Sequence, residues 1–222
     1  MTMERSSKSA ITTVLIDMYG VILEESKGNF IPYTYDYFPA SEHDRLTHLF
    51  RTERLFTQAG YGKITSDEFL TRLGFPDPQF HMKDYIEHHL TLDPGFRPFA
   101  ERFCNTFDFV LLSTDVSEWS RHITEYHKLD SYFKEKIVSG DVGLRKPDPK
   151  IYLHTLDVLG VSAAECIFID NSVENLDAAE ALGITPVLFN RDREEYTGTT
   201  VNTFEELSVL LDTLQKTHNT MS

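Results

Sequence analysis

The chain is poor in cysteine, in positive charge and in long apolar runs, and each scarcity removes a class of function. Only Cys104 and Cys166 occur in 222 residues, set in the apolar stretches RFCNTF and AECIFI. Two such cysteines cannot build a disulfide framework or a thiolate metal centre, and they read as reduced core thiols. Lys and Arg number 21 against 35 Asp and Glu, a formal charge of −14. A sequence-independent grip on nucleic acid or an anionic membrane needs the opposite surplus. A small phosphorylated molecule is still compatible with this charge, if helix amino ends or a metal ion supply local positive potential. No apolar run approaches the ~20 residues of a membrane span, and the opening MTMERSSKSA lacks the apolar stretch of a signal peptide. A cytoplasmic monomer or small homo-oligomer is the expectation. No internal repeat or low-complexity tract is present.

What is abundant points to a folded α/β protein. Hydrophobic residues make up 41% and charged residues 25%, ordinary for a globular chain. The short runs TTVLI (12–16), FDFVLL (107–112), CIFI (166–169) and ITPVLF (184–189) suit strands buried on both faces, as in a parallel sheet. Helical patterns alternate with them. Asp148 and Pro149 open KIYLHTLDVLG, and Gly160 closes it; Ser172 caps VENLDAAEALG before Gly183; TFEELSVLLDTLQK supplies a last helix. This alternation predicts a doubly wound, Rossmann-like parallel sheet.

The interval 24–93 differs. SEHDRLTHLFRTERLFTQAG, TSDEFLTRLG and DPQFHMKDYIEHHL are helical patterns with no buried-strand run between them. The expected organisation is a core of residues 1–23 and 94–222 interrupted by a helical cap over 24–93. The Ser/Lys-rich start and KTHNTMS at the end read as frayed tails.

In an open parallel sheet, ligands bind beyond the carboxyl ends of the strands. The residues there are Asp17 after TTVLI, Ser113 after FVLL, and Asp170 with Asn171 after CIFI; Lys146 opens KPDP ahead of a helix. A carboxylate can attack phosphorus and split one hard hydrolysis into two easier steps. A second carboxylate can share a Mg²⁺ with it. Hydroxyls can hold the remaining phosphoryl oxygens, and a lysine can neutralise nucleophile and transferring group together.

The segments DMYGV, LLSTD, GLRKPDP and FIDNSVEN, in that order, resemble the four motifs of the haloacid dehalogenase superfamily, with a helical cap inserted after the first. The resemblance implies Asp17 as nucleophile, Ser113 as phosphate-binding hydroxyl with Thr114 beside it, Lys146 as stabilising lysine and Asp170 as second metal carboxylate. It also implies that the Tyr19 carbonyl is a metal ligand and that Asn171 lies near the metal's water shell. The expected cofactor is Mg²⁺ and the expected substrate a small phosphorylated metabolite.

One position departs from the pattern. Phosphatases of the superfamily usually place a second aspartate two residues after the nucleophile, as general acid and base worth roughly 10²- to 10⁴-fold; here Tyr19 stands there. Three readings follow: a Mg²⁺-dependent phosphatase acting on good leaving groups or borrowing another acid, a metal-independent 2-haloacid dehalogenase, or a binding protein that has lost turnover. DMYG resembles the DxYG of dehalogenases, and the Lys146-to-Tyr152 spacing matches theirs. Those enzymes carry a small hydroxyl residue where this chain has Asp170, and two facing carboxylates with nothing between them would repel. The phosphatase is therefore the preferred reading.

Plainer roles compete at single positions. Ser113 would serve as a helix cap, Asp170 and Asn175 as first-turn capping groups, Tyr152 as packing. His81, His88 and His89 lack a zinc spacing and read as solvated. Phe30, Tyr33, Tyr35 and Tyr37 either line the substrate cleft or pack cap against core.

Overall fold

The computed structural model describes residues 10–219. Six strands, β1 (Thr13–Ile16), β2 (Asp108–Ser113), β3 (Glu135–Val138), β4 (Cys166–Asp170), β5 (Thr185–Phe189) and β6 (Thr200–Val201), form one sheet in the order β3-β2-β1-β4-β5-β6. Every neighbouring pair is parallel. The four apolar runs became β1, β2, β4 and β5 because both faces of each are covered. β3 (EKIV) and β6 (TV) carry no such run; they lie at the sheet edges, where burial on both sides is not imposed.

Side chains alternate between two apolar layers, as a period of two requires. Val14 and Ile16 face one layer, with Phe109, Leu111, Ile167 and Ile169. Leu15 faces the other, with Val110, Leu112 and Phe168, under α9 (Pro149–Leu159) and α10 (Val173–Glu180), while the short α8 (Ser139–Val142) directly follows β3.

Between β1 and β2 the chain makes α1 (Phe30–Tyr37), α2 (His43–Arg51), α3 (Leu55–Gly60), α4 (Ser66–Leu73), α5 (Pro78–His89) and α6 (Phe96–Phe103). Entry and exit of this stretch run side by side, with Glu24 N donating to Thr91 O and Asp93 N to Ile22 O, both at 2.9 Å. Caps define the helices as the side-chain chemistry requires: Thr65 accepts from Glu68 N, Asp77 accepts from Phe80 N ahead of Pro78, and Gly74 ends α4 in the left-handed region. The segment 41–60 reads in sequence as one helical pattern. It breaks into α2 and α3 at Arg54, whose φ of 52° no helix accommodates, although neither Gly nor Pro announces the break.

The insert shares its apolar layer with the sheet. Phe30 lies at ring-centroid distances of 4.7 Å from Trp119, 5.1 Å from Tyr85 and 5.4 Å from Phe69. Trp119, on α7 (Ser117–Tyr126) after β2, donates its indole N–H to Ser66 Oγ at 2.7 Å. Phe30 and Tyr33 are therefore packing residues; Tyr37 is exposed and Tyr35 half-buried. His81 corrects the solvated reading: it is 6% exposed, hydrogen-bonded through Nδ1 to the Tyr33 hydroxyl at 2.8 Å and surrounded by the rings of Phe75 and Tyr37. It lies on the buried face of α5 with Met82, Tyr85 and Ile86, and aromatic rings close over it. Phe30→Ala is expected to cost about 3–5 kcal/mol, because a large ring leaves a cavity that its rigid neighbours cannot fill; the urea midpoint measures it.

Cys166 is buried and Cys104 half-buried, both free thiols. α11 (Phe204–Asn219) extends helix through residues 216–219, which the sequence reads as a tail; residues 1–9 and 220–222 of the expected tails lie outside the described residues. Among the described residues no helix is long and apolar enough to cross a membrane.

Candidate active site

Strand order reverses around β1, whose neighbours are β2 on one side and β4 on the other. Ile16 is level with Leu111 and with Ile169. Asp17 and Asp170 thus leave adjacent strands at the same height, with Ser113 one residue beyond the level of Asp17. Asp17 N donates to Ile169 O at 3.0 Å, which holds the two strand ends together.

Lys146 reaches between them. Its ammonium is 2.8 Å from Asp17 Oδ1 and 2.7 Å from Asp170 Oδ2, with its side chain 1% exposed. Burial alone would lower the Lys146 pKa; the two carboxylates outweigh it and raise it, so the charge is held. At Asp17 the balance goes the other way. Burial, helped by the charge of Asp170, outweighs Lys146 and pushes the carboxyl up to about 7. One cation shared by two carboxylates cannot fully compensate both.

The two aspartates differ in what is left open. Asp17 Oδ1 accepts from Met18 N at 2.7 Å and faces Lys146, whereas Oδ2 takes no hydrogen bond among the described residues. Asp170 is saturated: Oδ1 accepts from Ser172 N at 2.8 Å, Oδ2 from Lys146, and the Asn175 amide donates to both. Asn175 and Asp170 therefore do act in the first turn of α10, as the plainer reading had it, and Ser172 Oγ caps the same turn.

Ser113 is no helix cap, since α7 begins four residues later with Val116 at its cap position. The hydroxyls of Ser113 and Thr114 are instead buried without a hydrogen-bond partner among the described residues. Two orphaned hydroxyls beside a buried ion pair represent donors kept for something that brings oxygen atoms.

Gly20 explains the end of DMYG. Its φ is 78°, and a Cβ there would lie 2.4 Å from Asn171 Nδ2 and 2.9 Å from Ser26 Cα, so no other residue fits. Tyr19 turns its hydroxyl to Asp115 Oδ1 at 3.3 Å. Burial pushes the Asp115 carboxyl up to about 8, and its Oδ2 has no partner. Tyr152 is packing: it is fully buried, edge-on to Phe168, and donates to Asn175 O at 2.9 Å.

Sequence reading missed Asp115, Asp192 and Arg191. Asp192 accepts from Asn171 Nδ2 at 3.2 Å, and Arg191 donates to the carbonyls of Gly20 and Val21 while pairing with Asp93 at 2.6 Å. Arg191 so clamps the loop that follows the nucleophile position. The adjacent pair RD after β5 was the available signal, since it too follows a strand end.

The described residues contain no group of three His, Cys, Asp or Glu side chains able to hold a metal. A magnesium ion needs less, one or two carboxylates with carbonyls, waters and substrate oxygens. The open Asp17 Oδ2 fits that requirement, as does the Asn171 side-chain oxygen, since its Nδ2 is the atom engaged with Asp192. Asp170, with every oxygen engaged, does not offer a lone pair as it stands.

A sequence profile for haloacid dehalogenase-like hydrolases matches residues 11–183. Flavin mononucleotide hydrolase 1 of Arabidopsis thaliana is 36% identical over 76 residues, 34% of this chain and 31% of that protein. A sesquiterpene phosphatase of Aspergillus oryzae is 40% identical over 76 residues, 34% of this chain and 39% of its own. The chain thus matches about a third of the length of these relatives. Among solved structures, a HAD family enzyme of Bacteroides thetaiotaomicron in complex with magnesium and inorganic phosphate superposes with a TM-score of 0.70 at 20% identity, covering 85% of this chain and 98% of that one, a likeness of fold. With the profile spanning most of the sequence and the same sheet beneath it, this chain belongs to the haloacid dehalogenase-like hydrolases.

Proposed function

We propose that the protein is a Mg²⁺-dependent phosphatase that removes phosphate from a small phosphorylated metabolite through an aspartyl-phosphate. The observation that carries this is the pair of buried, unpartnered hydroxyls of Ser113 and Thr114 beside the Lys146 bridge. A tetrahedral phosphoryl group brings the several acceptor oxygens they lack. The phosphatase name of one relative and the flavin mononucleotide hydrolase name of another, with the magnesium and phosphate bound by a structural neighbour, support it.

Asp17 Oδ2 is the attacking oxygen; it forms the new bond to phosphorus as the ester oxygen departs. Lys146 holds Asp17 Oδ1 and offsets charge on the transferring group, while Ser113 and Thr114 donate to its oxygens. Asp170 keeps Lys146 in place. Magnesium, held by Asp17, the Tyr19 carbonyl and the Asn171 amide oxygen, would supply further charge neutralisation. In this reading Asp170 moves from metal ligand to anchor of the lysine. Water then attacks phosphorus and breaks its bond to Asp17 Oδ2, releasing inorganic phosphate and restoring the carboxylate; the helical insert over 24–93 acts as the cap that keeps bulk water out of the cleft.

With Tyr19 engaged to Asp115, leaving-group protonation lacks the usual aspartate. Acyl and anomeric sugar phosphates are therefore expected to turn over about 10²-fold or more faster than simple alkyl phosphates, by phosphate release from a graded ester series. EDTA is expected to abolish release and Mg²⁺ to restore it; equal rates in both would overturn the reading. The saturation of Asp170 favours one alternative, a metal-independent 2-haloacid dehalogenase. Halide release from L-2-chloropropionate, insensitive to EDTA, would establish that alternative.

A further inference from the structure

A cleft of about 440 Å³ has Lys146 and Thr114 in its lining, and its other charged lining residues are Arg54, Arg145 and Glu174. The cleft is basic in a chain whose formal charge is −14. Arg145 directly precedes the bridging lysine and is half-buried, yet neither it nor Arg54 makes a side-chain hydrogen bond or ion pair among the described residues. Arg45, Arg72, Arg102 and Arg191 each pair with a carboxylate; Arg51, Arg121 and Arg193 are exposed and, among the described residues, also unpaired, so what sets Arg145 apart is its half-burial and what sets Arg54 apart is its place in the cleft lining. Glu174 shares the cleft but lies beyond ion-pair distance of both guanidinium groups.

The two arginines also oppose one another. Burial lowers the pKa of Arg145, and the charge of Arg54 lowers it further. Arg54 reaches the cleft from the left-handed break between α2 and α3, φ 52° and ψ 41°, a conformation that carries strain for a side chain of this size. Two unpaired cations facing a cleft, one presented by strained backbone, lack an anion. The phosphoryl group is not that anion, because the Lys146, Ser113 and Thr114 set already accounts for it.

We propose that Arg54 and Arg145 bind a second anionic group on the substrate, a phosphoryl or a carboxylate carried by the leaving group. The substrate class is thereby narrowed to phosphate esters with two anionic ends. This deepens the phosphatase reading and rests on it for the position of the first phosphate.

The test uses three aryl esters of similar leaving-group quality: phenyl phosphate, 3-carboxyphenyl phosphate and 1,3-phenylene bisphosphate. The intact protein with Mg²⁺ is expected to show kcat/KM about tenfold or more higher for one or both of the doubly anionic esters than for phenyl phosphate. The carboxylate and bisphosphate arms tell the two anion sources apart. Arg54→Gln combined with Arg145→Gln is expected to bring that ratio close to one, with retained folding checked by thermal midpoint. A wild-type ratio near one, or a ratio unchanged in the double variant, would overturn the proposal. Calorimetric binding of the same esters to Asp17→Asn protein, with and without the arginine substitutions, gives a readout independent of turnover. Preference in binding with no hydrolysis by wild type would sustain the anion site and defeat the phosphatase; no preference in binding or in turnover would defeat the anion site alone.

Discussion

Asp17→Asn is expected to lower phosphate release by at least about 10⁴-fold, the scale on which loss of a nucleophile is felt, without unfolding the protein. The first half follows from position. Asp17 Oδ2 is the one oxygen of the two facing aspartates with no hydrogen bond among the described residues, and it stands at the end of β1 beside the orphaned hydroxyls. An amide there is a poor nucleophile and cannot form the acyl phosphate. The second half follows from electrostatics. Burial opposes a charge at position 17, and Lys146 retains Asp170 at 2.7 Å when that charge is removed. The substituted amide oxygen can still accept from Met18 N. In EDTA the thermal midpoint of the variant is therefore expected at or above that of the wild type. A variant that loses activity and melts early would mean that Asp17 is a structural partner of Lys146 first. Dehalogenation would use the same nucleophile, so the reaction class is decided by which product the wild type releases.

Much of this site was legible because strand ends are written in a compact code. Buried parallel strands announce themselves as continuous apolar runs, and the polar residue that ends each run is placed at the sheet edge by topology. Asp17, Ser113 and Asp170 are each placed at the sheet edge that way, and their convergence there needs no side-chain detail. What stayed hidden depended on who reaches back to whom. Asp170 and Asn171 are chain neighbours, yet one faces Lys146 and Asn175 while the other faces Gly20 and Asp192. Pleating sends adjacent side chains in opposite directions, and only the register with β1 decides which of the two meets the cleft. Arg191 and Asp115 were hidden for a related reason. Each acts on a loop far away in sequence, 171 residues for Arg191 to Gly20 and 96 for Asp115 to Tyr19. The break at Arg54 was invisible because the left-handed conformation there falls on an arginine, with no glycine to betray it.

Lys146→Met is expected to be the most destabilising substitution in the site. It leaves Asp17 and Asp170 facing each other with no cation between them, and removing one partner of a buried ion pair costs about 3–5 kcal/mol. In a chain of this size that lowers the thermal midpoint by roughly 6–20 °C. Arginine is not a remedy. The lysine fills a gap set by oxygens at 2.8 and 2.7 Å and is almost fully enclosed, a space for a point charge and not for a planar fork. Activity is expected to fall at least about 10²-fold in both variants, through loss of charge stabilisation at the transferring group. Stability and activity can be separated by adding Asp170→Asn to Lys146→Met. The second substitution removes one of the two uncompensated carboxylates, and with it their mutual repulsion, and is expected to recover a large part of the lost midpoint, a coupling that a double-mutant cycle measures directly. Turnover is expected to stay low, because a neutral pair restores packing without restoring the positive charge. If the double variant recovered turnover as well, Lys146 would be only the glue between two strand ends, and the charge that drives phosphoryl transfer would have to come from elsewhere in the cleft.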